Sequence, residues 1–192
     1  MIDYSQPDFY KFNEDSFKLI SFIASKIKSA QAVLDMGAGS GVIGIELAQV
    51  MNPQYITFLE AQSEWKSYLE MNIKMCLKSE IVTEVVIDTF GNWNPVRKYD
   101  LIVSNPPYFL PGHGRSGHDP RRNIARSFIL DDWNIFLQKM KLALSEKGFG
   151  FVVIKNDKRI LDEIEKNKSE LLIKYFPDNI NIFLELSRLN ID

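Results

Sequence analysis

From Ala32 onward the chain alternates short β-branched and aliphatic runs with longer stretches whose apolar residues recur every three or four positions. The short runs read as buried strands: Ala32 to Asp35, Tyr55 to Glu60, Val82 to Asp88, Tyr99 to Ser104 and Gly148 to Lys155. The longer stretches read as helices. Val42 to Val50 is one, and Ser63 to Leu77 places Trp65, Leu69, Ile73 and Leu77 at spacings of four. Trp133 to Leu144 follows Asp131 and Asp132, acids that suit a helix N-terminus, and Asn156 to Lys168 follows the fifth strand. Ahead of the first strand, Asn13 is positioned to cap a helix whose apolar face uses Phe17, Ile20, Ile23, Ala24 and Ile27. Two final runs, Leu171 to Phe176 and Ile180 to Leu189, flank Pro177-Asp178-Asn179 and predict a terminal antiparallel pair.

Strands that alternate with helices imply a mostly parallel sheet with helices on both faces, a three-layer α/β arrangement wound in both directions. Ligands of such sheets bind beyond the carboxyl ends of the strands, where strand order reverses. No repeat or linker divides the sequence, which predicts one domain over residues 1–192. Within it, 1–30 form a helical lead-in and 105–128 form a loop long enough to be functional.

Composition narrows the class. With 23 basic against 25 acidic residues and 45% hydrophobic content, the 192-residue chain is neither disordered nor collagen-like. It contains no apolar run near the roughly 20 residues that cross a bilayer, and it opens on Met1-Ile-Asp-Tyr-Ser-Gln-Pro-Asp rather than on a signal peptide. A cytoplasmic protein is expected. Cys76, His113 and His118 do not make a zinc set, so no metal is expected.

Seven of the ten glycines fall in two clusters, at 37, 39, 41 and 44 and at 112, 114 and 117. The first lies in Val33-Leu-Asp-Met-Gly-Ala-Gly-Ser-Gly-Val-Ile-Gly, between a strand and a helix. There, glycine lets the backbone turn sharply and approach a ligand. Residues 39–44 satisfy the dinucleotide pattern, so a nicotinamide-dependent oxidoreductase is one reading. Asp35 favours another, because a carboxylate two residues before the first glycine repels a pyrophosphate and attracts the ammonium and sulfonium of S-adenosylmethionine. Glu60 ends the second strand, 21 residues after Gly39, where it suits ribose hydroxyls. Asp88 ends the third and suits an adenine amino group, with Ala61 or Phe90 against the ring, while Trp93 covers a core edge or, alternatively, flanks the adenine. The plainer role for these acids is to cap a helix or stay solvated. Gly44, inside the helix pattern, suits close helix packing.

Ser104-Asn105-Pro106-Pro107-Tyr108 follows the fourth strand. Two prolines fix the backbone and remove two donors, so acceptors dominate. If the Asn105 side-chain oxygen and the Pro106 carbonyl accept both hydrogens of a conjugated amino group, its lone pair becomes available for attack. Tyr108 is suited to stack on the planar substrate. No tuned general base is needed, since the proton can leave after transfer and positioning supplies most of the effect.

Val33-Leu-Asp-Met-Gly-Ala-Gly-Ser-Gly together with Asp100-Leu-Ile-Val-Ser-Asn-Pro-Pro-Tyr resembles the class I S-adenosylmethionine-dependent methyltransferases, in the branch that modifies amino nitrogens. Gln6-Pro-Asp-Phe-Tyr-Lys-Phe-Asn-Glu-Asp-Ser and Arg122-Asn-Ile-Ala-Arg126 resemble, within it, the bacterial tRNA (adenine-N6) methyltransferases that act beside the anticodon of a valine tRNA. The resemblance implies a Rossmann-like seven-stranded sheet with an antiparallel last strand. It also implies a cofactor site of Asp35, Met36, Gly37, Ala38, Gly39, Glu60, Ala61, Asp88, Thr89 and Asn105, and a catalytic tetrapeptide Asn105, Pro106, Pro107 and Tyr108.

Residues 105–128 carry Arg115, Arg121, Arg122 and Arg126 against Asp119, a local charge of +3 that leaves −5 for the other 168 residues. Arginine's planar fork suits phosphates and stacked bases, so these four, with Tyr108, are expected to contact an RNA substrate. A solvated loop, or Arg126 paired with Asp131 or Asp132, is the plainer reading. The sequence therefore predicts an S-adenosylmethionine-dependent N-methyltransferase acting on an adenine of tRNA. The alternatives are a ribosomal RNA guanine-N2 or protein glutamine-N5 methyltransferase, the oxidoreductase, and a non-catalytic RNA-binding subunit.

Overall fold

The computed structural model describes residues 3–108, 118–168 and 170–189. Seven strands form one sheet: β1 Ala32–Met36, β2 Tyr55–Glu60, β3 Val82–Ile87, β4 Tyr99–Ser104, β5 Leu144–Lys155, β6 Leu171–Pro177 and β7 Asn181–Arg188. Their order is β3-β2-β1-β4-β5-β7-β6, and only β7 runs against the rest. Order reverses at β1, which pairs with β2 on one side and β4 on the other, Asp35 lying opposite Phe58 and Val103. A crevice must open beyond these strand ends, because the chain leaves β1 and β4 toward opposite halves of the sheet.

Period-two alternation along β1 fills two cores. Val33 packs with α1 (Glu14–Lys26), α2 (Val42–Met51) and α3 (Lys66–Cys76) on one face, and Leu34 and Met36 with α5 (Trp133–Ala143) and α6 (Lys158–Asn167) on the other. A 3-10 turn, Ser63–Trp65, leads into α3. Cys76 is half-buried against the first core, and Trp93 belongs to the second.

Two elements depart from the sequence pattern. β5 starts at Leu144, four residues before the expected strand, because the pairing with β4 continues through a bulge between Tyr99 and Leu101. Gly148 permits this, since a Cβ there would lie 2.7 Å from the Tyr99 carbonyl oxygen. Within the long loop, Pro120–Arg126 forms a helix, α4, capped by Asp119, whose side chain accepts from the Arg121 N–H. No helix among the described residues is long and apolar enough to cross a membrane.

Candidate active site

The crevice beyond β1 and β4 is a cleft with about 900 Å³ of open space including its mouth, within the range of small-molecule sites. Gly37, Ala38 and Gly39 form its floor, Glu60, Ala61 and Phe90 one wall, and Asn105 and Pro107 another. Gly37 and Gly39 have φ of +81° and +55°, conformations that side chains disfavour, so glycine here serves the turn itself.

Glu60 holds this turn in place. One carboxylate oxygen accepts from the Gly39 N–H at 2.8 Å and the other from the Gln62 N–H at 2.9 Å, while the side chain still lines the cleft. Burial raises its pKa, opposed by those backbone hydrogen bonds. Asp35 behaves otherwise. It lies one layer beneath the floor, where Oδ2 accepts from the Gly44 N–H at 2.8 Å and Oδ1 is buried without a hydrogen-bond partner. The contact that Asp35 makes is thus the helix-capping one, to the first turn of α2. Its side chain lies on the Val33 face of β1, under α2, where Gly44 has no Cβ to obstruct it. Met36 is buried in the opposite core.

The third strand end carries a local contact. Asp88 turns one oxygen back onto the Thr89 N–H at 2.8 Å, and neither residue lines the cleft. Asp131 does line it, because its carboxylate accepts from the N–H groups of Phe90 and Gly91, each at 2.9 Å, and so fixes the Phe90 wall. Asp132, not Asp131, caps α5, accepting from the Ile135 N–H.

In the Asn-Pro-Pro-Tyr segment the Asn105 amide nitrogen donates to the Ser16 hydroxyl at 3.1 Å, and the Asn105 oxygen accepts from the Tyr108 hydroxyl. Pro106 is buried behind Asn105. Tyr108 directs its hydroxyl toward α1, and the Lys155 ammonium sits 5.0 Å from its ring centre.

Sequence reasoning missed the opposite wall. Tyr10 and Phe12, ahead of α1, line the cleft, and Trp65 packs edge-on against both Phe9 and Tyr10. Asn72, buried in α3, ties this segment down by accepting from the Ser5 N–H and donating to the carbonyls of Ser5 and Ser40. Ile124 and Ala125 bring α4 to the mouth. On α4, Arg121 pairs with Asp119 at 2.7 Å and lies 4.8 Å from the Phe9 ring centre, and Arg122 is exposed. Arg126 is half-buried near Tyr10, whose hydroxyl feels its charge. Arg115 and His113 lie outside the described residues, and His118 is exposed. Among the described residues no group of three His, Cys, Asp or Glu side chains is arranged to hold a metal.

The only charged side chains lining the cleft among the described residues are Glu60 and Asp131, both acidic. A pyrophosphate finds no counter-charge there, whereas a ligand carrying an ammonium and a sulfonium does. The residues present fit S-adenosylmethionine.

A family model described as the methyltransferase small domain matches residues 11–167. A relative from Glaesserella parasuis serovar 5, a tRNA1(Val) (adenine(37)-N6)-methyltransferase, is 34% identical over 125 residues, covering 64% of this chain and 51% of that protein. This chain therefore spans about half the length of that relative. A ribosomal protein uL3 glutamine methyltransferase from Francisella tularensis subsp. tularensis is 38% identical over 82 residues, 43% of this chain and 26% of the relative. The crystal structure of ribosomal protein L11 methylase from Lactobacillus delbrueckii subsp. bulgaricus superposes with a TM-score of 0.63 at 18% identity, covering 93% of this chain and 80% of that one, a likeness of fold.

Proposed function

Because this chain belongs to the methyltransferase small domain family, we propose that it transfers a methyl group from S-adenosylmethionine to the exocyclic amino nitrogen of an adenine in tRNA. The observation that carries this reading is the convergence of two strand ends on one acidic cleft, Gly37 to Gly39 after β1 and Asn105 to Pro107 after β4.

The group bound at the glycine turn supplies an electrophilic methyl. Glu60 keeps lone pairs for the ribose hydroxyls beyond those engaged by Gly39 and Gln62. Ala61 and Phe90 enclose the adenine ring of the cofactor, with Asp131 holding the Phe90 backbone. At the other wall, the Asn105 oxygen takes a hydrogen of the target amino group. That hydrogen bond draws the nitrogen out of conjugation and aims its lone pair along the cleft. Pro107 excludes water from the same side.

The arginines of α4 and Arg115 serve the RNA backbone. α4 carries Arg121, Arg122 and Arg126 next to the cleft mouth that Ile124 and Ala125 help to form. The relative from Glaesserella parasuis supports adenine in tRNA as the target, and a cytoplasmic location goes with that substrate. The glutamine methyltransferase from Francisella tularensis favours a second reading, an amide nitrogen of a protein, which the same acceptor at Asn105 would serve.

Bulk tRNA from a strain lacking this protein, incubated with the chain and methyl-labelled cofactor, tests the proposal by nucleoside mass spectrometry. N6-methyladenosine is the expected product. Label on guanine or on protein alone overturns the adenine assignment, and no label at all overturns the enzyme.

A further inference from the structure

Four segments far apart in sequence meet behind the Asn-Pro-Pro-Tyr wall in a polar cluster built around the buried Asp15 and Asn181, which the methyl-transfer chemistry above does not use. Asp15 is at its centre, 6% exposed in the first turn of α1. Its Oδ2 accepts from the Lys155 ammonium at 2.7 Å, the Asn13 amide at 2.8 Å and the Tyr108 hydroxyl at 3.1 Å. Its Oδ1 accepts from the Asn181 amide at 2.8 Å, and Asn181 in turn accepts from Lys155 at 2.8 Å. Burial alone would raise the Asp15 pKa; the hydrogen bonds from Lys155 and Asn181, the Lys155 charge and the Tyr108 hydroxyl outweigh it and hold the carboxylate ionised. Such an ion pair carries a desolvation cost, so its placement asks for a function beyond stability.

The Tyr108 hydroxyl has one proton and two acceptors, Asp15 Oδ2 and the Asn105 side-chain oxygen. While the proton lies on Asn105, it takes up one of the oxygen's two lone pairs and weakens that oxygen as an acceptor for the target amino group. We infer that Asp15, anchored by Lys155 and Asn181, is a positioning residue: it takes the Tyr108 proton when substrate arrives and so releases the Asn105 oxygen to the target nitrogen. A charge-assisted acceptor competes better for a hydroxyl than a neutral amide does. Ser16 holds the other end of the carboxamide through the Asn105 amide nitrogen, so the oxygen stays directed as Tyr108 moves between partners.

The inference rests on the methyltransferase reading, and a double-mutant cycle separates the two. Methyl transfer to bulk tRNA is measured for the unaltered chain, Asp15→Asn, Tyr108→Phe and the pair, with cofactor affinity by calorimetry as the check on folding. Asp15→Asn is expected to lower kcat about tenfold while changing the cofactor Kd by less than about twofold, and to have little further effect once Tyr108→Phe has removed the hydroxyl. Lys155→Met is expected to reproduce the loss through the same hydroxyl, and Lys155→Arg to restore part of it. If Asp15→Asn no longer binds cofactor, the Lys155 variants decide by the same criterion. Effects that multiply independently in the cycle, or an Asp15→Asn enzyme with unaltered kcat, overturn the inference alone. No transfer by the unaltered chain overturns the functional reading and the inference with it.

Discussion

The Ser104 hydroxyl donates to the Met36 carbonyl at 2.5 Å, tying the last residue of β4 to the last residue of β1 in a fully buried position. The two motifs begin one residue beyond this bond, at Gly37 and Asn105. Ser104→Ala is expected to lower unfolding free energy by about 1 to 2 kcal/mol, the usual cost of leaving a buried partner unmatched. Because the bond sets the spacing of the two walls, cofactor affinity should fall as well. Urea unfolding and calorimetry on the same variant check both.

Gly37 and Gly41 share a φ of +81° yet differ in surroundings. A Cβ on Gly37 meets only the tip of the Phe90 ring, at 3.6 Å, whereas one on Gly41 falls 2.5 Å from Leu69 Cδ1 and 3.2 Å from Ile45 Cδ1, both in a closed core. Gly41→Ala should therefore cost about 1 to 3 kcal/mol more in stability than Gly37→Ala. Gly37→Ala should fold and bind cofactor less tightly. Thermal unfolding of the two variants, with and without cofactor, distinguishes the outcomes.

Burial pushes the Asp35 carboxyl up to about 7, opposed by the Gly44 N–H and reinforced by the charge of Glu60. An acid whose pKa is raised on folding favours the folded chain below its unfolded pKa, about 4, and that advantage is lost as pH rises toward the folded value. Stability should fall between about pH 4 and pH 7, with Glu60, also raised by burial, acting in the same direction. In Asp35→Asn, chemical unfolding across this window should show a shallower decline. An identical pH profile would mean that Asp35 stays ionised.

Asn105→Ala removes the acceptor from the target wall and leaves the glycine turn untouched. Methyl transfer is expected to drop by about a hundredfold or more, with cofactor Kd changed by less than about threefold. Single-turnover kinetics with labelled cofactor measure the first, and calorimetry the second.

Charge on α4 should appear in the salt dependence of RNA binding. Each phosphate contact adds roughly 0.7 to 0.9 to the slope of log affinity against log salt. Arg122→Ala is expected to reduce that slope more than Arg121→Ala, because Arg121 is already paired with Asp119. Filter binding of tRNA at several salt concentrations compares them.

Those parts of the site written as continuous strings were legible in the sequence. The glycine turn and Asn105 to Tyr108 each follow a strand directly, so strand pattern and motif located them together. For Asp35 the capping contact had a signal in the sequence: it shares the period-two face of Val33, which faces α2 rather than solvent. The contacts of Asp15, Lys155 and Asn181 were not legible, because 140 and 166 residues separate Asp15 from its partners. Polar residues in a first helical turn look like solvent-facing caps until the fold shows what covers them. For that reason the expected face of α1 was displaced; Asp15, Ser16, Leu19 and Ile23 are its buried residues, and Phe17, Ile20 and Ile27 are only partly covered. Asn72, Tyr10 and Phe12 were missed similarly, since nothing local marks a lead-in segment as the wall of a cleft.

β7 lies between β5 and β6 although it follows both in the chain. During synthesis the sheet therefore remains split until Asn181 and the residues after it have been made. Asp15 waits through 166 positions for that amide. A polypeptide interrupted before β7 leaves the carboxylate short of one donor and exposes an unpaired edge of β5. The carboxylate beside the Asn-Pro-Pro-Tyr segment is thus fully partnered only once β7 has paired with β5.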